Sequence, residues 1–140
     1  MSAERLAREL AALREGGQVV EIVAATPVAG PTWSQVVLYR AVPTAGASLG
    51  LPVEIDVIVP VPEGYPAAMI DLAGLPEGSP LLPHLRGGAN SQGVLATDGC
   101  RWQLASYHPH NGGGGPTWDQ TRHGFHTYLD HLLSWLTRLH

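Results

Sequence analysis

The chain reads as an α+β domain: an N-terminal helix, a four-stranded antiparallel meander, a long irregular loop and a C-terminal helix. Two observations predict it. Apolar residues recur at helical spacing at both ends, and three strand-like runs follow one another too closely for helical crossovers.

The first helix spans residues 3–15, where Leu6, Leu10 and Leu13 form one stripe. Glu4, Arg8, Glu9 and Arg14 are left for the wet side, and Gly16-Gly17 stops the helix. The first strand is 19–23 and the second 35–40. The third, 53–59, alternates apolar with acidic residues as a half-buried strand does. Pro27, Gly30, Pro31, Pro43, Gly46 and Gly50 supply the turns between them. A proline-rich passage at 59–66 leads to a fourth strand at 68–72. From Gly74 to Pro116 the chain is dominated by Gly, Pro, Ser, Asn and His, which predicts an irregular loop with a flexible tip at Gly112 to Gly115. Phe125, Tyr128, Leu129, Leu132, Leu133 and Leu136 make the apolar stripe of the last helix, with Asp119 or Thr121 as its cap. Trp102, Trp118, Trp135 and Tyr128 are expected to fill the core between that helix and the sheet. All 140 residues fit one domain.

The 44% hydrophobic and 14% charged content marks a globular chain. A net charge of -4 with scattered Lys and Arg argues against nucleic acid or an anionic membrane as partner. No apolar run reaches the ~20 residues that span a bilayer, and the N-terminus has no apolar signal core, so a cytoplasmic protein is expected. Cys100 is the single cysteine, which excludes an intrachain disulfide and a Cys-rich zinc site. No cofactor is implied.

The segment Val57-Ile58-Val59-Pro60-Val61-Pro62-Glu63-Gly64-Tyr65-Pro66 resembles the end of the third strand and the Tyr-Pro turn of the ubiquitin-conjugating (E2/UBC) superfamily. Further on, Trp102-Gln103, Ser106 and His108, then Trp118, then Thr127-Tyr128-Leu129, are similar to the bacterial subgroup known as prokaryotic E2 family E. The resemblance runs from the first helix to the last and implies a UBC-like fold. Such proteins accept a ubiquitin-like protein from an E1 enzyme as a thioester and pass it to an amine. A ubiquitin-like protein and an E1-like adenylating enzyme are therefore the implied partners, the first helix being where E2 proteins dock the E1.

E2 chemistry needs an exposed thiol of lowered pKa and an Asn near the oxyanion. The family pattern is His-Pro-Asn, then about ten residues later Gly-x-x-Cys before a Trp. This chain departs from it. Its His108-Pro109-His110 lies after the cysteine and has His in place of Asn. The segment Asn90 to Ala96 imitates the approach to an E2 cysteine but puts Ala96 at the nucleophile's position, with Cys100 four residues on. Arg101 is the neighbour expected to lower the Cys100 pKa, with His108 brought near by a folded-back loop. His108 reads equally as a general base or as a structural histidine, and Ser106 as a second candidate nucleophile beside it. Cys100 itself also reads as a small buried hydrophobe.

Three functions follow. The first is a binding module that keeps the E2 fold to hold a ubiquitin-like or E1-like partner. The second is an active conjugating enzyme acting through Cys100. The third is a metal-dependent hydrolase using the C-terminal histidines, with His123 and His126 on one helical face alongside His108, His110 and His131. No metal is assigned, because the HExxH spacing is absent.

Overall fold

The computed structural model describes residues 2–30, 33–106 and 117–139. Helix α1 is Ser2–Glu15 and helix α2 is Phe125–Thr137. Between them run β1 (Val20–Ala24), β2 (Thr26–Ala29), β3 (Gln35–Pro43), β4 (Glu54–Pro60), β5 (Leu72–Pro76), β6 (Val94–Thr97) and β7 (Cys100–Ser106). Short 3₁₀ turns occupy Gly46–Leu49 and Leu82–His84. The strands form one antiparallel sheet in the order β1-β3-β4-β5-β7-β6-β2.

The mixed α+β class and its two flanking helices are as expected, but the sheet has seven strands where four were predicted. The predicted meander is present as β1-β3-β4-β5, and its fourth strand lies at 72–76, not at 68–72. The stretch from Gly74 to Pro116 is not a loop throughout. It holds the end of β5, a 3₁₀ turn, β6 and β7, while Gly112 to Gly115 lie outside the described residues. β6 and β7 meet at Asp98-Gly99, whose φ angles of 52° and 75° are the left-handed pair that a tight two-residue hairpin requires.

β1 and β2 are separated only by Ala25, yet they pair at opposite ends of the sheet. The sheet curls to permit this. Val36 and Leu38 of β3 pack in one cluster with Leu95 of β6 and Trp102 and Leu104 of β7, strands that are not β3's neighbours in the sheet. This cluster fills the inside of the curl. Gly74 sits where the two limbs meet, because a Cβ there would crowd Ile58 and Leu104.

The outer face carries a second, larger core. Leu6, Leu10 and Leu13 of α1 join Phe125, Tyr128, Leu132 and Leu136 of α2 over Val37, Tyr39, Val57 and Val59. Strand alternation explains the split. Val36 and Leu38 point inward while Val37 and Tyr39 point to the helices, so both faces of β3 are dry. Each fully buried Val or Leu contributes about 1.5–3 kcal/mol, so neither core is dispensable. Trp102 lies in the inner core, away from α2, which corrects its expected place; Tyr128 and Trp135 lie under α2 as expected, and Trp118 packs at the margin of that core.

α2 is not capped by Asp119 or Thr121. Its N-cap is Gly124, whose N–H donates to Thr127 Oγ1 at 3.0 Å, while the Asp119 carboxylate accepts from the Thr121 N–H and hydroxyl.

Candidate functional site

Cys100 opens β7, directly after the hairpin turn, and its thiol is exposed. The expectation that Arg101 lowers its pKa is not met, for a geometric reason. Consecutive residues of a strand point to opposite faces, and Arg101 pairs instead with Glu77 at 3.1 Å. The Cys100 thiol pKa is raised, first by partial burial and then by the Asp98 and Asp56 carboxylates, against an opposing pull from Arg40.

Arg40 organises this corner. It lies next to a bulge in β3, where Ala41 has φ 50°, and donates to Glu21 at 3.0 Å, Asp56 at 3.2 Å and Asp98 at 2.8 and 3.1 Å. One guanidinium thereby joins β1, β4 and the β6–β7 hairpin across the open seam of the curl. Thr97 adds a bond from its hydroxyl to Ala24 O at 2.6 Å.

Ser106 ends β7, paired with Leu72 of β5, six residues along the strand from Cys100. At ~3.4 Å per residue the two are on the order of 20 Å apart, so they do not belong to one site. His108, His110 and the rest of 107–116 lie outside the described residues. Ala96, expected from the resemblance at the nucleophile's position, is a paired residue of β6 opposite Arg101.

The described histidines form no metal-ligand set. His123 precedes α2 and accepts the Asp119 N–H on Nδ1 at 2.9 Å, so it does not share a helical face with His126. His126 Nδ1 is 3.8 Å from Glu9 Oε2, and His131 packs on Tyr128 with its pKa lowered, chiefly by burial. Among the described residues no group of three or more His, Cys, Asp or Glu is placed to hold a metal.

The densest polar cluster is one that the sequence reading placed in solvent. Glu9 is only 5% exposed. Its carboxylate accepts from Tyr65 Oη, from the Phe125 N–H at 3.0 Å and from Arg5 Nε at 2.7 Å. Arg5 also donates to Gln120 O and to His123 O, the latter at 2.5 Å, and lies over the Tyr65 ring. The carboxylate thus meets the positive end of α2 and ties both helices to the turn at Tyr65-Pro66, a cis peptide. Trp118 Nε1 closes the same turn by donating to Pro66 O at 2.9 Å. Residues 6, 9, 10 and 13 share one arc of a helix, so the spacing of Glu9 within the Leu6-Leu10-Leu13 stripe was the available signal.

Beside this cluster lies a groove of about 550 Å³ between α1, β1 and the proline-rich turn, lined by Leu6, Ile22, Trp33, Glu63, Gly64 and Tyr65 among others. Comparison with models of protein families, with curated proteins and with solved structures finds no match for this chain. Among the described residues no helix is long and apolar enough to cross a membrane.

Proposed function

We propose that this chain is an E2-like binding module that holds a ubiquitin-like protein or an E1-like adenylating enzyme without a covalent step. The observation that carries the reading is the setting of Cys100. A thioester-forming cysteine is activated by positive charge, whereas this thiol's pKa is raised, first by partial burial and then by the Asp98 and Asp56 carboxylates, which outweigh the pull of Arg40.

The first helix, where E2 proteins dock the E1, is by contrast firmly built. The first helix, the turn at Tyr65-Pro66 and the start of the last helix share the Glu9 carboxylate. The order of helix, three meander strands, Tyr-Pro turn, fourth strand and final helix supports the UBC-like reading, on which β7, β6 and β2 extend the four-stranded meander. The exposure of Cys100 favours a second reading, a conjugating enzyme whose thiol becomes activated only in complex with its E1.

Calorimetric titration of wild type and Cys100→Ala with a ubiquitin-like protein and with an E1-like adenylating enzyme tests the proposal. It requires saturable binding of at least one partner, with the same affinity in both proteins. Loss of binding in Cys100→Ala, or binding of neither partner by wild type, would overturn it.

A further inference from the structure

Every one of the chain's eight basic side chains is an arginine, so its 140 residues carry no lysine ε-amine. For half of these arginines the structure gives a reason. Arg14 turns two donors on Val20 O, and Arg101 meets both carboxylate oxygens of Glu77. Arg5 reaches three acceptors and Arg40 three carboxylates. A planar fork makes such contacts and a single ammonium does not. Arg8 and Arg138 are different. Both are exposed, and neither side chain makes a hydrogen bond or ion pair among the described residues. At these two positions the fold is indifferent to the choice of cation.

The chemistry that the proposed function brings close is not indifferent. A thioester carried by an E1-like enzyme is consumed when a lysine amine attacks its carbonyl. The C–N bond forms, the C–S bond breaks, the thiol leaves and the amine's proton passes to solvent. Holding that carrier raises the effective concentration of any nearby amine on this chain to about the millimolar range. Arginine supplies the same charge, but its guanidinium stays protonated and is no nucleophile. Arg8 lies on α1, the helix that the resemblance assigns to E1 docking.

We propose that the all-arginine surface makes this chain an unreactive platform for a thioester-charged partner, one that binds the activated modifier without itself being modified. The proposal rests on the binding-module reading and adds to it the reason why lysine is replaced where the fold does not require arginine.

The test uses the ubiquitin-like protein and E1-like enzyme that bind wild type, with ATP, and reads intact mass after thiol treatment. Wild type is expected to keep its own mass. Arg8→Lys and Arg138→Lys lose no contact of the fold, and at least one is expected to gain the mass of the modifier less one water, mapped to the new lysine. Arg8→Gln, which removes the charge without adding an amine, is expected to stay unmodified. A thiol-resistant adduct on wild type or on Arg8→Gln would overturn this proposal alone. So would lysine variants that bind the charged partner with wild-type affinity and remain unmodified. Failure of wild type to bind either partner would overturn both this proposal and the binding-module reading.

Discussion

Replacing Glu9 by Ala removes an acceptor shared by the Tyr65 hydroxyl, the Phe125 N–H and the Arg5 guanidinium. Arg5 would keep its two carbonyl contacts but lose its counter-charge. Breaking one side of a buried charged pair costs about 3–5 kcal/mol, a large share of the ~5–15 kcal/mol that holds a domain together. Urea denaturation of Glu9→Ala should show that loss, and a loss below about 1 kcal/mol would mean that the carboxylate is solvated. The buried phenols set a pH limit. Burial comes first, then Tyr128 for Tyr39 and the Glu9 hydrogen bond for Tyr65, in raising both above the ordinary tyrosine value. Below about pH 10 folded and unfolded chains both keep these protons. Above it the unfolded chain releases them first, so stability falls as pH rises, by up to ~1.4 kcal/mol per pH unit for each phenol. Urea midpoints between pH 9 and 11 should drop, and less steeply in Tyr39→Phe; a flat profile would contradict the assignment.

At the scale of elements, the start of α2 is set by contact with α1. Gly124 has φ -172°, which any residue adopts, so its need for glycine is one of space. A Cβ there would overlap the Glu9 carboxylate. Gly124→Ala should therefore cost about 2 kcal/mol or more by calorimetry, while Gly16→Ala, whose Cβ would meet only ordinary contacts, should cost little. Elements long enough to show a period were legible in the sequence. α1, β1, β3 and β4 begin within one residue of the expected positions, because Leu6-Leu10-Leu13 of α1 and Ile55, Val57 and Val59 of β4 mark faces that pack into the helix-side core. β2 was hidden because all four of its residues are exposed and one is Pro27. β6 and β7 were hidden by the surrounding Gly, Pro and Ser, although Asp98-Gly99 between Val94-Leu95-Ala96-Thr97 and Cys100-Arg101-Trp102 is a hairpin signal.

For the molecule as a whole, the sheet curls because Trp102, Leu104 and Leu95 need cover on the side away from the helices, and β3 supplies it. Long-range pairing of β2 with β6 has no local signature, so the curl could not be read from the chain. The same holds for the candidate site. Cys100 was visible as the single cysteine with Asp98 two residues before it, but Asp56 and Arg40 reach its surroundings only through the fold. Arg40→Ala should loosen that seam, so amides of Thr97, Asp98 and Gly99 should exchange faster than in wild type while those of α2 are unchanged. Equal exchange in both proteins would show that the inner core alone closes the sheet.

On the proposed function, this chain binds a ubiquitin-like or E1-like partner without a covalent intermediate. Intact-mass spectrometry after incubation with the ubiquitin-like protein, the E1-like enzyme and ATP tests it most directly. The expected result is the unmodified mass of this chain while the E1-like enzyme itself becomes charged. A thiol-sensitive adduct that disappears in Cys100→Ala would contradict it and make this chain a working conjugating enzyme.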